Sequence, residues 1–142
     1  MAATPAETTI KQAILDRNTA LHDKHVAGVM ASGAPGLVSY SLAPPLKEAG
    51  GEAGLQSWFD TWDGPIGQEL KDLKIVAGDD VAFAHSLVHM TGRKIDGETV
   101  DLWFRETVGL KRFHGAWKIV HEHSSVPFYM DGSFKAAVDL KP

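Results

Sequence analysis

The residues best suited to chemistry lie close together late in the chain: Arg105, then His121 and His123 on either side of Glu122. Alternate residues of a strand share a face and lie about 6.6 Å apart, so His121 and His123 can converge on one small ligand. Unperturbed imidazole titrates at about pH 6.5, so such a pair can move a proton near neutrality. Two hydrogen-bonded core histidines are the competing reading. Arg105 lies on the strand expected to pair with them. Its planar fork suits a carboxylate, either on a ligand or on the protein itself. His85 and His89 share a face of another strand, but roughly 13 Å separates them, too far to chelate one metal without further ligands. Trp58, Trp62, Trp103 and Tyr40 supply apolar walls for a pocket.

Several chemistries lack their residues. The chain has no cysteine, which excludes disulfides, thiol catalysis and cysteine-ligated metals. His-Glu-His is similar to the paired ligands of cupin metal sites, but no Glu and no His follow His123. Neither a metal nor an organic cofactor is expected. There is no Gly-rich phosphate loop, Gly-x-Ser-x-Gly elbow or His-Glu-x-x-His helix. Net charge is −4 and no basic stripe is present, which argues against nucleic acid. No apolar run approaches the roughly 18 residues of a membrane span, and no signal pattern opens the chain. A cytoplasmic location is the expectation. With 142 residues, 44% hydrophobic and 23% charged, the composition is that of one soluble globular domain spanning 1–142.

The elements that must position these residues follow from periodicity. Thr4, Pro5 and Glu7 mark a helix start. Ile10, Ala13, Ile14 and Leu21 then share a face to about residue 24, with Arg17 interrupting it. A short helix over 25–31 ends at Gly33, Pro35 and Gly36. Residues 37–42 read as a short strand. Leu55, Trp58, Phe59 and Trp62 fall at helical spacing, and Gly64-Pro65 stops that helix. Strands follow over 70–77, 81–91, 99–113 and 116–124, separated by turns at 78–80, Asp96-Gly97 and His114-Gly115. Gly109 suggests a bulge that would exchange faces in the strand that carries it. One face of 99–108 holds Val100, Leu102, Phe104, Glu106 and Val108, and the other holds Asp101, Trp103, Arg105 and Thr107. In the last strand, Trp117, Ile119, His121 and His123 are expected on one face. Helices ahead of a run of antiparallel strands indicate an α+β fold.

Three segments carry a family resemblance: Trp-Phe-Arg-Glu-Thr-Val-Gly at 103–109, His-Gly-Ala-Trp at 114–117 and Ile-Val-His-Glu-His-Ser-Ser-Val-Pro-Phe at 119–128. Together with Trp-Phe-Asp-Thr-Trp-Asp-Gly-Pro at 58–65 and Met-Asp-Gly-Ser at 130–133, the chain resembles the SnoaL-like, ketosteroid-isomerase-like branch of the NTF2-like superfamily. The resemblance implies a cone: a strongly curved antiparallel sheet packed against N-terminal helices, with a pocket at the open end. It implies a homodimer through the outer sheet face. It also implies a small-molecule ligand, a carbonyl or acidic compound, handled by an acid–base isomerase, cyclase or hydratase. A non-catalytic ligand-binding or assembly module is the alternative, and a dimer with a vestigial pocket is a third reading. Steroid isomerisation uses a carboxylate base and an oxyanion hole of Tyr and protonated Asp. Here the first helix has no Tyr, and Tyr40 and Asp101 are the only near substitutes. By analogy with the polyketide cyclases, His121, His123 or Asp101 would be the acid–base group. Arg105, Trp103, Trp58, Trp62, Tyr40, His85 and His89 would be ligand-binding residues.

Overall fold

A computed structural model describes residues 2–142. Helix α1 (Pro5–His22) starts where its capping residues place it, with the Glu7 amide donating to the Thr4 hydroxyl at 3.2 Å. Next come α2 (Val26–Ser32), β1 (Gly33–Tyr40), the two-residue β2 (Glu48–Ala49) and α3 (Glu52–Phe59). Four long strands complete the chain: β3 (Trp62–Ala77), β4 (Val81–Lys94), β5 (Thr99–Phe113) and β6 (Ala116–Ser125). All six strands form one curved, unclosed sheet in the order β2-β1-β6-β5-β4-β3. Its pairings are antiparallel except β1–β6, which is parallel. Helix α1 lies across the inner face against β3 and β6, and α2 packs on α1 and α3. No helix is long and apolar enough to cross a membrane.

The inner face carries two apolar clusters. Ile10 and Ile14 of α1 meet Ala82, Ala84, Val108, Leu110, Trp117 and Ile119. Phe59, Trp62 and Ile66 form the other cluster, with Leu21, Leu55, Trp58 and Met90 packed against it. Between Ile14 and Leu21, α1 turns Arg17 and Asn18 toward the sheet, and both are buried. A polar layer therefore separates two apolar ones.

Strand β1 covers Gly33–Tyr40 rather than 37–42, so Gly33, Pro35 and Gly36 lie within it, and β4 runs to Lys94 rather than 91. At the junction of α3 and β3, two boundaries differ from the periodicity reading. Trp62 does not continue helix α3. The Thr61 amide and hydroxyl both turn back to the Trp58 carbonyl, at 3.1 and 2.6 Å, and the Ile95 amide takes the Thr61 carbonyl at 3.0 Å. These bonds end the helix and deliver Trp62 to the sheet. Gly64-Pro65 consequently lies inside β3, at an irregularity between Asp63 and Gly67, and the strand starts eight residues before Leu70. Gly64, at φ +92°, supplies a conformation that other residues rarely adopt.

A further difference decides which side chains face inward. The hairpin from β5 to β6 closes through His114 (φ +50°) and Gly115 (φ +84°), a two-residue turn with both φ values positive. Pairing then runs Leu110 with Ile119 but Gly109 with His121, so Val120 is the extra residue. The bulge sits opposite Gly109 and belongs to β6. Strand β5 keeps its alternation throughout, with Phe104, Val108 and Leu110 buried and Arg105 and Thr107 exposed. In β6 the faces exchange after Ile119. Trp117 and Ile119 point inward with Glu122 and Ser124, whereas His121 and His123 join the outer face. The expectation that Trp117, Ile119, His121 and His123 share one face is corrected by this single inserted residue.

Candidate functional site

The polar layer follows from strand register. Ser86 of β4 pairs with Glu106 of β5, which pairs with Ser124 of β6. One row away, Val108 pairs with Glu122, which pairs with Ser39 of β1. Two glutamates and three serines thus occupy adjacent inner rows of four strands. Arg17 descends on them from α1. Its Nη2 bonds Glu122 Oε2, and its Nη1 lies 3.5 Å from Glu106 Oε1. The Ser39 hydroxyl donates to Glu122 Oε1 at 2.6 Å, and the Ser124 hydroxyl donates to Glu106 Oε2 at 3.3 Å. Side-chain exposure is 9% for Arg17, 14% for Glu106 and 23% for Glu122, so Glu122 is the most accessible of the three.

One guanidinium between two carboxylates leaves this cluster with an excess of one negative charge when both are ionised. Burial acts to lower the Arg17 pKa, but the charges of Glu122 and Glu106 and their hydrogen bonds outweigh it and hold the group above its ordinary value. Arg17 is therefore a fixed cation. It orients both carboxylates, and the serines fix one further oxygen of each. Such a set can hold a carboxylate at a defined position for proton transfer, or present a cationic donor to an oxygen that gains charge.

The residues singled out from the sequence are distributed over three places. Tyr40, His121, His123 and Arg105 gather on the outer face near the ends of β1 and β6. The Tyr40 ring meets His121 edge-on at 4.6 Å and His123 at 5.3 Å between centroids. His121 Nδ1 lies 2.7 Å from the Val38 carbonyl, so that nitrogen carries the proton and donates. Arg105 Nε donates to Ser125 Oγ at 3.2 Å. A second group lies further along the outer face, where the His89 ring stacks on Trp103 at 4.5 Å and 5° and its Nε2 sits 2.6 Å from Asp101 Oδ1. That hydrogen bond holds the Asp101 carboxyl below its usual range. His85 stands on the same face, stacked on Phe83. The third group, Trp58 and Trp62, packs edge-to-face at 5.6 Å beside α3, with the Lys94 ammonium 3.9 Å from the centre of the Trp62 ring. Among the described residues no three His, Asp or Glu side chains are grouped as a metal would require.

The sequence reading did not assign the inner cluster, although two of its members left a trace there. Arg17 interrupts an apolar helix face, and Glu106 interrupts an apolar strand row. A charge on a buried stripe requires a partner, and each of these is the other's partner.

Comparison with known proteins places the fold in context. No curated protein matches the chain. An NTF2-like protein of unknown function from Pseudomonas putida KT2440 is 33% identical, with each chain covered completely and a TM-score of 0.88. A ketosteroid isomerase-like protein from Erwinia carotovora atroseptica is 19% identical, covering 87% of this chain and 97% of its own, at a TM-score of 0.71. A candidate dehydratase of the NTF2-like family from Streptomyces avermitilis is 14% identical, covering 86% and 97%, at a TM-score of 0.73. The family model of the SnoaL-like domain matches residues 10–129, which include α1 from Ile10 onward, every strand and the whole polar layer. On this match and the architecture above, the chain belongs to the SnoaL-like family and has the NTF2-like fold.

Proposed function

We propose that this protein is an acid–base enzyme for a small carbonyl compound, with Glu122 as the proton carrier and Glu106 as its partner. The reaction class is isomerisation, aldol-type cyclisation or the addition or loss of water. The observation that carries the reading is the convergence of two glutamates from neighbouring strands on one buried guanidinium. Moving a proton from a carbon beside a carbonyl needs a base fixed in place and an electropositive group near the developing oxyanion. Glu122 is the reachable carboxylate, and Arg17 with Ser39 holds both its oxygens. The acid–base role first considered for His121, His123 and Asp101 passes in this proposal to the inner pair. The solved structures named as isomerase-like and as a candidate dehydratase are compatible with this chemistry.

The test is hydrogen–deuterium exchange at the α-carbon, followed by NMR across simple cyclic enones and β-hydroxyketones. Glu122→Gln should slow exchange by about 10²- to 10⁴-fold, the usual contribution of a positioned acid–base group. Glu106→Gln should slow it less. Exchange at the wild-type rate in both variants, or none with the wild type, would reject the reading.

A second reading is favoured by the outer face. Val76, Phe83 and Val81 are 46%, 46% and 64% exposed on adjoining strands, and Val76 pairs with Phe83 across β3 and β4. Three exposed apolar side chains in one patch suit a second copy of the chain. We propose a homodimer through this part of the sheet, with or without turnover inside. Sedimentation equilibrium should give twice the 15.4 kDa chain mass, and Phe83→Glu should give the monomer. A wild-type monomer at every concentration would refute it.

A further inference from the structure

A groove of about 750 Å³ opens at the end of the sheet, between the connection at 41–47 and the ends of β1 and β6. Its two walls differ in chemistry. The connection contributes Leu42, Pro44, Pro45 and Leu46, with Leu46 96% exposed. The strand ends contribute Tyr40, His123, Ser124 and Ser125. No carboxylate lines the groove, although acidic residues outnumber basic ones in the chain by 18 to 14. Lys47 also lines it. Arg105 does not line the groove itself but donates through Nε to the lining Ser125 at 3.2 Å. Among the described residues no carboxylate lies within 4.0 Å of the Arg105 guanidinium, as is also the case for Arg93, whereas Arg17 has two and Arg112 has one. The two terminal nitrogens of Arg105 therefore have no anionic partner among the described residues.

We propose that this groove is a binding site for a small organic acid with an apolar body, separate from the inner carboxylate cluster. The acid group would lie toward His123 and Ser125, which line the groove, and toward the Arg105 guanidinium that bonds Ser125. The hydrocarbon part would lie against Leu42, Pro45 and Leu46. The inner cluster could not take such a ligand, because it already holds more carboxylate than guanidinium. The site does not depend on turnover at Glu122, so it stands or falls by binding alone.

The probe is phenylacetate, followed by amide chemical-shift titration, with phenylacetamide and acetate as controls. Shifts should be confined to residues 40–47, 105 and 123–126. The neutral amide should bind about ten- to hundredfold more weakly, the loss expected when a charge-assisted hydrogen bond becomes a neutral one. Acetate should also bind more weakly because it lacks the apolar body. Arg105→Gln should weaken phenylacetate to the level of the amide, and Leu46→Ser should weaken phenylacetate while leaving acetate unchanged. Both positions are exposed, and an unchanged melting temperature confirms that the variants fold. Shifts centred elsewhere, equal affinity for acid and amide, or full affinity in Arg105→Gln would each overturn the proposal.

Discussion

Arg17→Met should destabilise the fold by about 3–5 kcal/mol, the cost of leaving a buried charge without its partner. The substitution keeps an unbranched stem out to the position of Nε and removes the cation from the polar layer. Glu106 and Glu122 would then each keep one serine hydroxyl and have no countercharge. A domain of this size has roughly 5–15 kcal/mol in total, so the loss would be a large share of it. The single variants Glu106→Gln and Glu122→Gln should cost much less, because each leaves Arg17 with one carboxylate. Adding both glutamine substitutions to Arg17→Met should recover a large part of the loss, since no charge is then buried. Urea denaturation read by tryptophan fluorescence measures all four variants. If Arg17→Met costs less than either glutamine variant, the three groups do not act as a unit.

The other large effect is expected at Trp62. Trp62→Ala should cost about 3–5 kcal/mol, as for other large aromatic side chains removed from a core. The indole is 3% exposed and packs with Phe59 and Ile66. Gly92 on β4 makes room for it: a Cβ there would lie 2.8 Å from Trp62 Cζ3, against a ring with nowhere to move. Trp58, one turn earlier by the helical spacing, is only half-buried and should cost clearly less when changed to alanine. Trp62→Phe should also be mild, because the buried indole Nε1 has no hydrogen-bond partner to lose. Chemical denaturation of the three variants orders them. Equal costs for Trp58→Ala and Trp62→Ala would refute the packing argument.

Trp62 shows how far periodicity carries. Leu55, Trp58, Phe59 and Trp62 satisfy helical spacing, and all four do pack into one cluster. The helix nevertheless stops at Phe59, because Thr61 turns its own groups back and gives its carbonyl to Ile95, a residue 34 positions on. A pattern in four side chains cannot register a hydrogen bond to a distant strand.

What the sequence determined by itself is local. The cap at Thr4, the turn at His114-Gly115, the strand at 99–113 and the order of helices before strands all follow from short-range preferences, and the motifs at 103–109, 114–117 and 119–128 carry the family. Only the tertiary structure decided which residues meet. Arg17 and Glu122 are 105 positions apart, and nothing in either neighbourhood names the other. The histidines face outward because Val120 is one residue too many for its partner strand. A strand has a period of two, so one inserted residue sends every later side chain to the opposite face. Here it turns Glu122 and Ser124 inward to Arg17 and leaves His121 and His123 beside Tyr40 on the outside.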